Sequence, residues 1–206
     1  MRRLAPLALA GWLGAAPVLA AGGQPVATAE MPARFAAFIA ALRPEAEARG
    51  VSPRTFSAAF AGISGPAPDI LARTRKQGEF GRPVWDYLVG AVSPGRIARG
   101  QAEAKRLAPV LARIEARYGV PRWIVLAFWG VESDFGASGG SVPTIRALAT
   151  LAEARFRGTL FRDELLSALT ILERGDVSPE RMKGSWAGAM GQVQFLPSSF
   201  LAHAVD

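Results

Sequence analysis

The order of apolar and polar positions along the chain predicts helices almost throughout. Apolar side chains recur every three or four residues, the spacing that places them on one face of a helix. No stretch of strand length alternates apolar with polar residues. The pattern therefore predicts a mainly α protein, with helices over residues 34–50, 53–60, 96–117, 144–154 and 160–174.

Prolines set the expected boundaries of these helices. Ser52 and Pro53 are suited to the N-cap and the first position of the second helix. Pro44 lies inside the first predicted helix and Pro109 lies inside 96–117. Because proline lacks an N–H and its ring clashes with the preceding turn, we expect a break or kink at Pro44 and a kink at Pro109.

One further helix is unusually apolar. Gly119 and Pro121 mark its start, with Pro121 in the first turn, where no N–H is missed. Residues 124–131 then contain no charged side chain. A helix this apolar is usually buried on all sides, and we expect the same here.

A single carboxylate, Glu132, stands at the far end of this helix. Trp129 and Phe128 lie three and four residues before it and therefore share its face. Aromatic neighbours exclude water, and a helix C-terminus carries a negative partial charge. Both effects disfavour the ionised carboxylate, so we expect Glu132 to be suited to the role of a general acid. The alternative is that Glu132 is simply the first polar residue where the helix reaches the surface.

A second unusual stretch runs from 182 to 200. Gly184, Gly188 and Gly191 alternate there with small and aromatic residues, which lets the backbone approach a ligand closely. Gln194 adds an amide that can both donate and accept hydrogen bonds. Such residues are suitable for lining a sugar cleft, although close packing of helices through small residues would use the same composition.

The first 20 residues are typical of a cleavable export signal. Arg2 and Arg3 precede an apolar run, and Val18 and Ala20 form a small-x-small cleavage site. A single N-terminal membrane anchor is the alternative, but the run is short and is interrupted by proline and glycine. We therefore expect a signal peptide over 1–20, a flexible leader over 21–33 and one domain over 34–206.

Composition bears on compartment and partner. The chain contains no cysteine, so it forms no disulfide and carries no lipidated cysteine. Together with the export signal, this predicts a location in a bacterial periplasm. The formal net charge is +7, and loss of the two N-terminal arginines would leave +5. The arginines are scattered, as on solvated helix surfaces, yet the excess charge favours a polyanionic partner such as cell-wall polymer or anionic lipid.

Several short blocks must be considered together. They are residues 79–80, 85–88, 92–93, 96–97, 118–121, 130–136, 147–151, 183–191 and 194–199. In this order and at these separations, the blocks resemble the lytic murein transglycosylase B family. The similarity spans nearly all of the chain from about residue 35, so it is far more specific than any single motif.

The resemblance implies a fold, an activity and a set of site residues. The fold is a lysozyme-like transglycosylase domain with an additional helical lobe. By position in the family's motifs, Glu132 is the catalytic acid/base and Ser185 lies beside that carboxyl, while Met190 and Gln194 line the sugar groove. The implied reaction cleaves the MurNAc–GlcNAc β-1,4 bond of peptidoglycan and forms a 1,6-anhydroMurNAc end without consuming water. The implied partner is the glycan strand, with no nucleic acid, no stable membrane anchor after signal cleavage, and a monomeric protein.

The resemblance also bears on cofactors and on the C-terminal part. The implied chemistry requires no cofactor. The family continues into a calcium-binding loop, whose first oxygen ligand Asp206 would match. One carboxylate cannot supply the roughly six to eight oxygens that calcium takes, so we expect no metal here. We accordingly expect the C-terminal part of the family's domain to be missing and one wall of the cleft to be incomplete.

Two other classes of function remain open at this stage. The first is a peptidoglycan-binding protein, or an inactive fragment, that keeps the groove without turnover. The second is a basic envelope protein that binds anionic lipid or nucleic acid. The second rests on charge alone and predicts salt-sensitive binding that does not depend on glycan.

Overall fold

The computed structural model describes residues 30–75 and 83–205. The expected signal peptide, most of the leader, Glu79, Phe80 and Asp206 lie outside the described residues. Within them the chain forms ten helices and a two-stranded ribbon, which confirms the prediction of a mainly α protein. The elements are α1 (Glu30–Ala48), α2 (Pro53–Ala59), α3 (Pro68–Arg75), α4 (Val84–Ala91), α5 (Pro94–Arg106), α6 (Ala108–Tyr118), α7 (Arg122–Ser133), β1 (Val142–Pro143), α8 (Thr144–Glu153), α9 (Leu160–Arg174), β2 (Lys183–Gly184) and α10 (Pro197–His203).

The core is built around α8 and α9. Eight residues of α8 and nine of α9 are buried, among them the fully buried Leu148, Leu151, Leu165 and Leu169. Helices α1, α2 and α10 pack on α9, and α3 packs on α8. The carboxylate of Glu164, itself buried, accepts hydrogen bonds from the Ser198 backbone N–H at 2.9 Å and its hydroxyl at 2.6 Å. This carboxylate fixes the start of α10 on α9.

The two interior prolines behave differently. Helix α1 continues through Pro44 without a break. At Pro109 the predicted helix 96–117 is instead divided into α5 and α6, with Leu107 between them at φ −104° and ψ 14°. Pro109 then stands in the first turn of α6, where a missing N–H leaves no hydrogen bond unmade. Pro44 is tolerated because Phe35, Leu42 and Ala46 of the same helix are buried and hold it on the core.

The ribbon joins the two stretches that the sequence singled out. β1 and β2 pair antiparallel, with Val142 opposite Gly184 and Pro143 opposite Lys183. Two-residue strands are too short to produce the alternation from which strands are predicted. The ribbon brings the loop that follows α7 against the glycine-rich stretch that begins at 183.

The expectation that α7 is buried on all sides is wrong for the part of the chain that the structure describes. Helix α7 packs mainly on α5 and α6, and only Leu126, Gly130 and Ser133 are buried. Two neighbouring helices cover only one side of a third helix, so apolar side chains on the other side remain exposed. Those side chains are Trp123, Ile124, Phe128 and Val131.

No helix within residues 30–75 and 83–205 combines the length and the apolar character needed to cross a membrane.

Candidate functional site

The segment that follows Glu132 is a left-handed turn. Ser133 ends α7, and Asp134 is its C-cap at φ 51° and ψ 49°. Phe135 follows at φ 60° and Gly136 at φ 90°, which makes three consecutive residues with positive φ. Positive φ is common for glycine but uncommon for other residues, so surrounding contacts must hold Asp134 and Phe135 in this conformation.

Ser133 supplies the first of these contacts. Its hydroxyl donates to the Trp129 carbonyl at 3.3 Å and accepts from the Gly136 N–H at 3.0 Å. Its own carbonyl accepts from the Ser138 N–H at 2.7 Å. One buried serine therefore links the last turn of α7 to the loop that leaves it.

Asp134 is held by two arginines of α5. Its Oδ1 atom accepts from Arg99 Nη2 at 2.8 Å and Nε at 3.1 Å, and from Arg96 Nε at 3.4 Å. The hydrogen bonds from Arg99, together with the charges of both guanidiniums, hold the pKa of Asp134 below its usual value. Asp134 is therefore an ionised carboxylate that ties α7 to α5.

Phe135 is wedged between α5 and α7. A Cβ atom placed on Gly130 would lie 2.6 Å from the Phe135 ring, and one on Gly100 would lie 3.0 Å from it. The ring also meets Trp129 edge to face, with centroids 5.4 Å apart. The glycines let the ring enter between the helices, and the ring in turn fixes the left-handed turn.

Ser185, one of the predicted site residues, caps its own turn. Its hydroxyl oxygen accepts from the Ala187 N–H at 3.3 Å and the Ala189 N–H at 3.1 Å. Its backbone N–H donates to the Ala189 carbonyl at 2.8 Å. In the described part of the chain, no hydrogen bond joins Ser185 to Glu132.

Met190 and Gln194 belong to the same glycine-rich loop. Met190 forms bridges to Gly184 and Phe195 and is packed, partly buried, against the core. Gln194 has φ 51°, and its Nε2 donates to the Gly139 carbonyl at 3.0 Å and the Gly191 carbonyl at 2.8 Å. The Gln194 amide thus joins the glycine-rich loop to the loop that follows α7.

Gln192 makes a second connection between these loops, and sequence reasoning missed it. Its Oε1 accepts from Trp129 Nε1 at 2.7 Å. Its amide group also lies against Gly136, where an added Cβ would approach Oε1 to 2.9 Å. The only signal in the sequence was a second amide two residues from Gln194.

Glu132 lies at the end of α7 with its side chain exposed. Phe128, expected to shield it, is 63% exposed, so the shielding predicted from the sequence is absent in the described residues. Glu132 therefore lies in the last turn of α7. The left-handed turn that follows it, with the loop beyond, contacts the loop that contains Ser185, Met190 and Gln194. Glu132 has no hydrogen-bond or ion-pair partner of its own among residues 30–75 and 83–205.

The described residues do not fit a metal site. No group of three or more histidine, cysteine, aspartate or glutamate side chains within them is placed to hold a metal ion.

A mainly helical domain with a glutamate at a helix end, joined through the following turn to a glycine-rich loop that carries two amides, is typical of the lysozyme-like fold class. The model of the transglycosylase SLT domain family matches residues 34–206, and the chain belongs to this family.

Solved structures and a curated relative agree with this assignment. SltB3 from Pseudomonas aeruginosa, in complex with NAG-NAM-pentapeptide, is 45% identical over 84% of this chain, with a TM-score of 0.80. The Escherichia coli lytic transglycosylase Slt35, in complex with calcium, is 28% identical over 84% of this chain, with a TM-score of 0.71. Membrane-bound lytic murein transglycosylase B of Escherichia coli strain K12 is 35% identical over 121 residues, or 58% of this chain.

The chain spans only part of these relatives. It covers 46% of SltB3, 54% of Slt35 and 34% of the transglycosylase B sequence.

Proposed function

We propose that this domain is a lytic transglycosylase that cleaves the MurNAc–GlcNAc β-1,4 bond of peptidoglycan. The observation that carries the proposal is the placement of Glu132. It is a glutamate in the last turn of α7, and the left-handed turn that follows it is held against a loop whose amides and small residues suit a sugar. Membership of the transglycosylase family supports the same reaction class.

The proposed reaction needs one carboxyl group and no water. Glu132 gives its proton to the glycosidic oxygen, the bond from that oxygen to MurNAc C1 breaks, and GlcNAc leaves with a free hydroxyl. The N-acetyl oxygen of MurNAc stabilises the electron-deficient C1, as in substrate-assisted glycosidases. The Glu132 carboxylate then takes the proton of the MurNAc C6 hydroxyl, whose oxygen bonds to C1. The product is a 1,6-anhydro ring, and Glu132 is protonated again.

Asp134 does not serve as a second catalytic carboxylate in this scheme. Most glycosidases use an acid paired with a base or nucleophile. The ionised carboxylate of Asp134 is already engaged by Arg96 and Arg99. A substrate-assisted reaction with one glutamate is therefore the scheme that this arrangement favours.

The loop residues would bind the glycan. Gln194 would orient sugar hydroxyls through its amide oxygen, which remains a hydrogen-bond acceptor while Nε2 is held by two carbonyls. Met190 offers apolar surface for a sugar ring, and Ser185 shapes the loop from which both project.

The setting of the domain follows from the same proposal. Residues 34–206 belong to the catalytic domain, preceded by a cleaved signal peptide and a leader, and the protein acts as a monomer in the periplasm. Its partner is the glycan strand of peptidoglycan rather than nucleic acid, without a stable membrane anchor. The reaction requires no cofactor.

The direct test is digestion of purified peptidoglycan, with mass analysis of the released muropeptides. We expect anhydro ends from the wild-type protein and none from Glu132→Gln, which keeps the side chain's size but cannot transfer the proton. Glu47→Gln, a matched change in α1, should behave like the wild type. Release of reducing ends would mean hydrolysis and would contradict the proposed reaction.

A second candidate is glycan binding without turnover. The exposed apolar face of α7 offers surface for sugar rings, whereas the exposed Glu132 lacks the shielding that suits a general acid. If neither wild type nor Glu132→Gln releases products but both sediment with insoluble peptidoglycan, the binding function stands and the lytic activity is rejected for this chain.

A further inference from the structure

The backbone at the end of α7 sets the direction of the Glu132 Cα–Cβ bond. Among the described residues, no hydrogen bond or ion pair restrains its carboxyl group. The last turn of α7 and the left-handed turn after it therefore determine the point from which the Glu132 side chain extends. A displacement of a catalytic group by about 1 Å can cost roughly 100-fold in rate, so whatever fixes this turn controls the reaction.

The turn is not a conformation that its residues favour. Asp134 and Phe135 both have positive φ, and only Gly136 adopts such values freely. Backbone N–H groups of the same two residues close α7 on the carbonyls of Gly130 and Trp129, at 3.0 Å and 3.3 Å. Relaxation of the turn would break these bonds and loosen the helical turn that carries Glu132.

The arginines of α5 provide the restraint. Arg99 donates to Asp134 Oδ1 through two nitrogens, at 2.8 Å and 3.1 Å, and Arg96 donates to the same oxygen at 3.4 Å. Arg96 is itself anchored, since its Nη1 donates to the Ala91 carbonyl at 2.6 Å. A continuous set of contacts therefore runs from the end of α4 through Arg96 and Asp134 to the end of α7.

We propose that Asp134 is a positioning residue for Glu132, and that its ion pair with Arg96 and Arg99 holds the last turn of α7, from which the catalytic side chain extends, in its working position. This inference rests on the proposed function. Asp134, Arg96 and Arg99 would then contribute to the reaction without touching the glycan or the reacting atoms.

The test uses a substitution that changes charge and little else. Asparagine has nearly the size of aspartate and tolerates the left-handed region, so Asp134→Asn removes the ion pair without adding backbone strain. We expect kcat for anhydro-muropeptide release to fall about 10- to 100-fold with KM little changed. Arg99→Gln should have a similar effect, and the double variant should be no worse than the single ones because they remove the same pair.

Arg106→Gln is the matched control. It breaks an ion pair with Glu103 on the same helix α5, and among the described residues the side-chain hydrogen bonds of Arg106 go to Glu103 and not to α7, so it should leave kcat at the wild-type value. A loss of kcat in this variant equal to that in Asp134→Asn would mean that α5 acts only through its stability, and would overturn the inference. Equal kcat in the wild type and Asp134→Asn would overturn it as well.

The dependence of kcat on salt distinguishes a charge-based restraint by Asp134 from a merely structural role. Arg99 is half-exposed, so added sodium chloride should weaken its pairing with Asp134. Salt should therefore lower the ratio of wild-type kcat to Asp134→Asn kcat toward one. A ratio that does not change with salt would contradict a charge-based restraint.

An activity-independent measurement separates failure of the inference from failure of the proposed function. The Trp129 indole N–H donates a hydrogen bond to Gln192, so its nuclear magnetic resonance signal reports the geometry at the end of α7. It should shift in Asp134→Asn and Arg99→Gln but not in Arg106→Gln. If the wild type forms no anhydro ends, the proposed function fails, but a shifted Trp129 signal still shows that the ion pair sets the turn. If the Trp129 signal shifts in neither Asp134→Asn nor Arg99→Gln, the ion pair does not restrain the turn and the inference is overturned.

Discussion

At the scale of single residues, Asp134 makes the stability of this region depend on pH. The hydrogen bonds and charges of Arg99 and Arg96 lower its pKa in the folded protein. A carboxyl group with a lowered folded pKa contributes stability above its unfolded pKa, which is about 3.9 for aspartate. That contribution is lost as the pH falls through the lower, folded pKa.

Asp134→Asn should therefore lower the free energy of unfolding near neutral pH, and the difference from the wild type should shrink as the pH falls below about 4. Denaturant titrations at several pH values, followed by circular dichroism, measure this difference. A difference that stays constant between neutral and acid pH would show that the ion pair contributes nothing to it.

The site residues differ in how far sequence could reveal them. Glu132 became a candidate because a single carboxylate ends an apolar run, and Gln194 because an amide lies in a glycine-rich stretch. Gln192 and Arg99 did not, because their partners Trp129 and Asp134 lie 63 and 35 residues away. Side-chain pairs at such separations follow from tertiary packing and leave no local pattern.

At the scale of elements, the packing of α7 on α5 depends on glycine. The Phe135 ring occupies the space that a side chain at Gly130 would need. Gly90 in α4 offers a matched position, since it is also inside a helix but has open space where a Cβ would be.

Gly130→Ala should destabilise the protein by about 1–3 kcal/mol, because the ring must move or the helices must separate. Gly90→Ala should be neutral or stabilise by up to about 1 kcal/mol, since alanine favours helix. Thermal unfolding of both variants against the wild type measures the contrast. Equal effects of the two substitutions would show that the Phe135 ring is not a tight wedge.

Helix boundaries were more predictable than helix environments. The predicted range 160–174 coincides with α9, because its periodic pattern ends at Gly175, which adopts the left-handed C-cap conformation at φ 78°. The division of 96–117 at Pro109 was expected only as a kink. The exposure of α7 could not be inferred, because burial depends on which other elements reach the helix.

At the scale of the whole molecule, burial is distributed unevenly. Helices α4 and α5 have no buried residue, α6 has only Leu111 and α7 has three. Most of the apolar core lies instead in α8, α9 and the helices packed on them. The candidate acid therefore stands on the sparsely buried part of the described chain, and the glycine-rich loop stands on the densely buried part.

This distribution predicts how backbone amides exchange with deuterated solvent. Segments with few buried contacts open at lower free energy than the core. Amides of α4 to α7 should exchange well before those of α8 and α9, as measured by mass spectrometry of peptides from partially exchanged protein. Equal protection of α7 and α9 would show that the described chain opens as one unit.

If exchange follows this order, α4 to α7 form a cooperative unit that unfolds while α8 and α9 remain folded. In that partly unfolded state Glu132 would no longer be positioned for the reaction, while the loop of Met190 and Gln194 would remain folded. Warming would abolish turnover at a lower temperature than the one at which most helical structure is lost.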